Sequence, residues 1–362
     1  MSLRILMTLD AVGGVWRYAV DLAAALAEEG CEIVFAGFGP EPDTTQRDEA
    51  RGIGPLEWGA APLDWLASGP GDLDGAPGWL MQVAERHGVD VLHLNQPTLA
   101  AGLRGRTPCV AVTHSCLATW FGTMEGGAVP GPLRWQVEMT RAGLANAHHA
   151  IAPSAAHAAL VRRVYGLADV ATVRNASRSP LLSPGDGDGH VTAAGRWWDR
   201  AKNGFVLDRA AALTDAPFVL IGSADGPDGQ RFAPAHLPPP RALPHGETTE
   251  RIGAASLFVS PSLYEPFGLA ALEAARAGRP LLLADIPVYR ELWEGAARFF
   301  DPQNPADLAQ TVDALLDAPD DRLALGAAAQ RRALRYGLAE QAGAMLEIYK
   351  EATARAPLDM VP

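Results

Sequence analysis

Two glutamates stand eight positions apart in PSLYEPFGLAALEA, residues 261–274. Glu265 lies ahead of an apolar run and Glu273 lies inside it. An ionised carboxylate only accepts hydrogen bonds, and it can accept from two neighbouring hydroxyls such as those of a sugar or a ribose. Pro266 needs no N–H, and the N–H groups of Phe267, Gly268 and Leu269 fall at an expected helix start, where they can receive hydroxyls or an anion. The plain alternative is one acid favoured by the helix N-terminus and one solvated acid. Ala and Leu around Glu273 oppose it, because a buried glutamate needs a partner.

A basic pair comes next. Arg196 closes VTAAG and Lys202 opens KNGFVLDRAAAL, six positions on. A fork of donors and a compact charge across one turn suit a diphosphate, although two solvated charges would read the same way. Gly13 and Gly14 separate the first expected strand from the first helix, where backbone can approach an anion closely or simply turn. A full GxGxxG is absent, so a dinucleotide fingerprint is not supported. His114 follows the strand CVAVT, placed to donate to a substrate hydroxyl or phosphate or to serve as a structural histidine; His148 and His149 read as structural or exposed. Asp-x-Asp pairs occur in GDLDG (71–75) and GDGDG (185–189), but both sit in Gly-rich loops and read as solvated turns, so no metal is expected. Asp285 and Glu291 flank IPVYR and are expected to fix loop geometry.

These residues need elements to hold them. A chain of 362 residues, 48% hydrophobic, suits two domains of about 150–200 residues. Short runs apolar on both faces mark buried parallel strands covered by helices: LRILMTL (3–9), CEIVFAGFG (31–39), VDVLHLN (89–95), CVAVTHS (109–115), HAIAPS (149–154), HVTAAGR (190–196), PFVLIGS (217–223), ASLFVSPS (255–262) and RPLLLAD (279–285). A helix over 268–277 stops at Gly278, and 320–355 reads as Ala-rich helix before a fraying PLDMVP. Residues 40–78 read as an irregular surface stretch. The expected division is a first domain over 1–178, a Gly/Pro/Asp linker over 179–189, a second domain over 190–345 and a tail over 346–362 that packs back on the first. The fold class is α/β, two Rossmann-like domains facing an interdomain cleft, with ligands beyond the C-terminal strand ends.

Net charge −12 and pI near 5.2 argue against general binding to nucleic acid or an anionic membrane. Three unpaired cysteines fit a reducing compartment. The charged start MSLRILMTLD does not read as a signal peptide, and no apolar run reaches membrane-spanning length, so a cytoplasmic protein is expected.

PSLYEPFGLAALEAARAGRP resembles the signature of retaining glycosyltransferases of the large family four group with the GT-B fold (glycogen-synthase-like, glycosyl transferases group 1): Glu265, seven residues, Glu273, then Gly278 and Pro280. The likeness extends to GGVWRYAVDLAAALAEEG, His114, the Arg196–Lys202 region and LPHGETTERIGAASLFVSPS, and leaves 40–80 unmatched. The resemblance implies a role for each residue. Glu265 would stand beside the donor sugar, and the Phe267–Gly268–Leu269 backbone would contact its hydroxyls and phosphate. Glu273 would hold the ribose, Arg196 and Lys202 would clamp the diphosphate, Gly13 and Gly14 would approach the donor phosphate, and His114 would orient the sugar. It implies no metal and no other cofactor. Ala176, where the family usually has glycine, and Trp197–Trp198 beside the clamp depart from the pattern; the tryptophans would pack a hinge or touch the base.

The expected activity is metal-independent transfer of a sugar, in all expectation a hexose, from a nucleotide-diphosphate sugar to an acceptor hydroxyl. The alternatives are a nucleotide-sugar epimerase on the same fold and a non-catalytic nucleotide-sugar-binding protein. The acceptor side is the first domain, with CLATWFGTMEGGAVPGPLRWQ (116–136) as either an acceptor loop or a surface connection. A soluble sugar or small metabolite is the expected acceptor, with no nucleic acid and no transmembrane segment; the acidic balance disfavours peripheral membrane contact, which a local basic patch would still allow.

Overall fold

A computed structural model describes residues 2–103, 107–227 and 229–354. They form two compact units. One runs to Ala176 and resumes at Leu338; the other spans Ser177–Gly337.

The first unit alternates strand and helix: β1 (Arg4–Asp10), α1 (Gly14–Glu28), β2 (Glu32–Phe38), α2 (Thr44–Arg51), β3 (Leu56–Trp58), α3 (Ala76–His87), β4 (Val91–Leu94), β5 (Cys109–Val112), α4 (Leu117–Met124), α5 (Arg134–Asn146), β6 (His149–Ala152), α6 (Ala155–Tyr165) and β7 (Ala171–Thr172). The sheet order is β3-β2-β1-β4-β5-β6-β7, with every pairing parallel. Successive strand side chains point to opposite faces. On β1, Ile5, Met7 and Leu9 therefore pack under α1, whereas Leu6 joins Leu80 and Val83 of α3. That double burial explains the unbroken apolar run.

Residues 40–78 lie largely at the surface, as expected, but are more regular than the sequence suggests. Asp43 caps α2 in a reciprocal arrangement with Gln46, and β3 pairs with β2 as an edge strand. The Trp58 ring lies over Gly37, where a Cβ would come within 2.0 Å of it, so the missing side chain makes the seat. Leu63 and Leu73 are buried beneath.

The second unit holds β8 (Val191–Ala194), α7 (Gly204–Ala211), β9 (Phe218–Ile221), α8 (His245–Ala254), β10 (Leu257–Ser260), α9 (Leu269–Arg276), β11 (Leu281–Ala284), α10 (Pro287–Trp293), β12 (Arg298–Phe300), α11 (Pro305–Leu316) and α12 (Pro319–Ala333). Its sheet is also parallel, ordered β12-β11-β10-β8-β9. Both units are thus Rossmann-like. The strand order reverses between β1 and β4 in the first and between β8 and β10 in the second, the positions where open α/β sheets leave a ligand crevice.

The chain passes between units at 176/177 and at 337/338 rather than at 178 and 345. The helix α13 (Leu338–Ala354) lies on α1 and contributes Ala342, Met345, Tyr349 and Ala352 to the first core. The expected linker 179–189 is strapped to the second unit. Buried Arg279 donates to the carbonyls of Ser183 and Gly185 at 2.9 and 3.1 Å, and Arg276 donates to that of Ser179 at 2.6 Å. The expected fraying of PLDMVP lies outside the described residues.

Candidate functional site

In the second unit two strand-end connections meet at the reversal point. After β8, Asp199 accepts from Ala201 N–H at 2.9 Å and closes a 3₁₀ turn over Arg200–Lys202. Asn203 then takes a left-handed conformation (φ 54°). Its amide donates to the carbonyls of Pro261 (3.1 Å) and Pro302 (2.8 Å), while Leu263 N–H donates to Ala201 at 2.8 Å. The Pro261 and Leu263 bonds draw the β8–α7 connection onto the β10–α9 connection, and the Pro302 bond ties it to the β12–α11 connection.

The result is a direct contact between two groups assigned to different parts of a ligand. Lys202 Nζ lies 2.5 Å from Glu265 Oε2, with 18% and 14% of the side chains exposed. The lysine stem runs beside Gly195, and Ser262 Oγ stands 3.5 Å from the same Glu265 oxygen. Behind the pair, Tyr289 Oη and Ser260 Oγ are 2.5 Å apart. Burial, then the Glu265 charge, pushes the Tyr289 hydroxyl well above its ordinary value. Gly268 enters α9 at φ 93°, where a Cβ would meet Tyr289 at 2.9 Å. Phe267 is buried against Tyr336, and Leu269 opens the helix. Glu273, about one turn on, is 7% exposed.

Arg196 does not join the pair. It is about half exposed, with its guanidinium 5.6 Å from the Trp198 ring centroid and 3.9 Å from Asp199. Trp197 is no hinge residue: it is buried within the second unit, donating to the Ile221 carbonyl at 2.9 Å beside Phe232.

In the first unit Gly13 (φ 83°) and Gly14 are exposed after β1, in a turn where Asp10 accepts from Val12 N–H at 2.8 Å. His114, beyond β5, is partly exposed. Its Nε2 lies 2.8 Å from Asn95 Oδ1 at the end of β4, and the Tyr18 ring meets it edge-on at 4.3 Å. Burial, then the neighbouring His93 and His157, pushes His114 down to about 3; burial pushes His93 down to about 4. The 116–136 stretch is mostly helical, with Trp120 and Phe121 edge-to-face on α4. His148 Nδ1 accepts from Cys109 N–H at 3.2 Å, a structural role, and Asp285 pairs with Arg290 at 2.6 Å.

Sequence reasoning missed Asn203, Tyr289, His93, Asn95 and Tyr349. The Asn203–Gly204 dipeptide is a left-handed signal that points to the first; the others sit in apolar runs where nothing marks them. Among the described residues, no three His, Cys, Asp or Glu side chains gather as a metal site, and no helix is long and apolar enough to cross a membrane.

The profile described as Glycosyltransferase Family 4 matches residues 12–176, and that of Glycosyl transferases group 1 matches 239–332. A D-inositol 3-phosphate glycosyltransferase of Pseudarthrobacter chlorophenolicus is 28% identical over 97% of this chain and 93% of its own. One from Xylanimonas cellulosilytica is 29% identical over 95% and 93%. Among solved structures, a sucrose-phosphate synthase from Thermosynechococcus elongatus superposes with TM-score 0.79 at 18% identity, covering 97% of this chain and 99% of its own. The Anabaena protein Alr3699/HepE, solved with UDP and glucose, gives 0.74 at 17%, covering 96% and 100%. With one profile on each unit and the fold shared along its length, the chain belongs to the GT-B glycosyltransferases of the family 4 and group 1 type, enzymes that act on a nucleotide-sugar donor.

Proposed function

We propose that the protein is a retaining, metal-independent glycosyltransferase that moves a sugar from a nucleoside-diphosphate sugar to the hydroxyl of a small soluble acceptor. The observation that carries this reading is the Lys202–Glu265 contact of 2.5 Å at the mouth of α9, with Glu273 buried about one turn along the same helix. One ammonium at the start of a helix serves a departing diphosphate, and two carboxylates spaced along that helix serve two sets of hydroxyls.

In the reaction the bond from the anomeric carbon to the diphosphate oxygen breaks. The acceptor oxygen bonds to that carbon on the same face, and its proton passes to a leaving phosphate oxygen. No side chain has to act as a strong base. Lys202, Arg196 and the first N–H groups of α9 stabilise the charge that develops on the diphosphate. Glu265 takes sugar hydroxyls, while the Phe267–Gly268–Leu269 backbone contacts the sugar and its phosphate. Glu273 accepts from the ribose. Gly13 and Gly14 offer close backbone approach to the donor phosphate, and His114 orients the sugar. The acceptor falls to the first unit. The curated relatives are named for D-inositol 3-phosphate, which makes a phosphorylated polyol the first acceptor to try.

A thermal-shift screen of UDP-, GDP- and ADP-sugars tests the reading; stabilisation by one donor and release of its nucleotide diphosphate on adding acceptor are expected. Turnover should persist in EDTA. Complete loss, restored by a divalent cation, would refute metal independence.

A further inference from the structure

We infer that Asn95, backed by His93 and Tyr349, is a positioning residue that holds His114 in its Nε2–H form, so that the ring offers a sugar hydroxyl the Nδ1 lone pair and not an N–H donor. The inference rests on the proposed contact between His114 and the donor sugar, and it reverses the donor role expected of that histidine.

Donors and acceptors run in a chain from Thr8 through Asn95 to the two rings. Asn95 Nδ2 lies 2.6 Å from the Thr8 carbonyl, and Asn95 N–H donates to Thr8 Oγ1 at 2.8 Å. A carbonyl oxygen only accepts, so the amide end facing Thr8 is the nitrogen and the other end is the oxygen. That oxygen faces two ring nitrogens, His114 Nε2 at 2.8 Å and His93 Nε2 at 3.1 Å. It too only accepts, so both rings carry their proton on Nε2. Burial keeps both rings neutral, and a neutral imidazole carries one N–H. Nδ1 of each ring is therefore an acceptor.

For His93 the acceptor is filled within the protein: Tyr349 Oη donates to Nδ1 at 2.6 Å, across 256 positions of sequence. His114 Nδ1 takes no donor among the described residues, and Tyr18 fixes its ring plane from the side. Turning the Asn95 amide over would set oxygen against the Thr8 carbonyl and lose the bonds on both sides. Removing the Tyr349 hydroxyl leaves a buried lone pair on His93, which is fully inaccessible, and weakens one of the two donors that hold Asn95. The last described helix of the chain thus bears on a group just beyond the C-terminal ends of the central strands of the first sheet.

The test is histidine ¹⁵N NMR on the ligand-free protein, with the His114 signal assigned by its loss in His114→Gln. The wild type should show one form, protonated at Nε2. Asn95→Leu should release His114 into a mixture, and Asn95→Asp, which keeps an acceptor in place, should retain the Nε2–H form. Tyr349→Phe should shift the mixture in the same direction as Asn95→Leu and by less; it keeps the test open if the leucine variant does not fold. If only a fraction of the protein carries the competent tautomer, apparent donor affinity falls by that fraction, so donor KM should rise about 3–10-fold in Asn95→Leu with kcat within about twofold. Loss of folded protein alone would lower kcat and leave KM unchanged. A proton on His114 Nδ1 in the wild type, or an unaltered tautomer in both Asn95→Leu and Tyr349→Phe, overturns the inference. If His114→Gln leaves donor KM and kcat at wild-type values, the sugar contact fails instead, and the tautomer result stands by itself.

Discussion

Replacing Lys202 with methionine tests the ion pair and the proposed clamp together. The ammonium is 2.5 Å from Glu265, and less than a fifth of either side chain is exposed. At an effective dielectric of about 20, opposite charges at this distance attract by roughly 7 kcal/mol before the cost of leaving water is subtracted. Desolvation removes much of that, so the intact pair adds little net stability. Breaking it is different. Methionine keeps the stem beside Gly195 but leaves the Glu265 carboxylate, among the described residues, with the long Ser262 contact of 3.5 Å. An uncompensated, largely buried carboxylate should lower unfolding free energy by about 3–5 kcal/mol. Turnover should fall by about 10²–10³ because one charge on the departing diphosphate is missing, equivalent to about 2.7–4 kcal/mol. The assay is nucleotide-diphosphate release at saturating donor, corrected for folded protein. The double variant with Glu265→Gln separates the two effects: stability should return toward wild type while kcat stays low. A Lys202→Met enzyme with kcat within about threefold of wild type would refute the clamp role, whatever its melting temperature.

Glu273→Ala should weaken nucleotide-sugar binding through the ribose, measured by calorimetry; unchanged affinity removes that role. Gly268→Ala forces a side chain into a left-handed residue, at about 1–2 kcal/mol, and presses its Cβ to 2.9 Å from Tyr289. Its melting temperature should drop by about 3–8 °C, and an unchanged value would contradict the packing. Burial holds His93, His114 and His157 down to about 4, 3 and 4. Between those values and the ordinary value near 6.5 the unfolded chain binds protons that the folded chain does not, so stability is full above about pH 6.5 and lost as pH falls toward 4. Melting temperature should be lower at about pH 5 than at about pH 7.5; equal values would mean these rings titrate freely.

The buried strands were legible because parallel sheets covered on both faces need unbroken apolar runs, as in β1 and β11. The edge strands β3, β7 and β12 were not: Leu56–Trp58, Ala171–Thr172 and Arg298–Phe300 are too short to carry a run. Glu265 and Lys202 were each visible by residue type and by their place after a strand. Their contact was not, because it joins positions 63 apart through carbonyls that Asn203 collects from two other loops. Composition marked 179–189 as a loop correctly, yet said nothing of what binds its backbone, since Arg279 finds carbonyls and these leave no mark in sequence. The division near 337 was hidden because α12 and α13 are alike in composition and differ in which core they complete.

The helix α13 also sets an order of manufacture. Ser177–Gly337 is one unbroken stretch, whereas the first unit is finished only by residues made after it. When Ala176 has been synthesised, every strand of the first sheet exists, but Ala342, Met345, Tyr349 and Ala352, all fully buried in the finished molecule, do not. The usual N-terminal-first order of folding during synthesis is thereby reversed at the last step. The second half can close while the first still shows a bare apolar strip along α1. A nascent chain that has reached residue 337 therefore carries every residue of the second unit while α1 still lacks the helix that covers it.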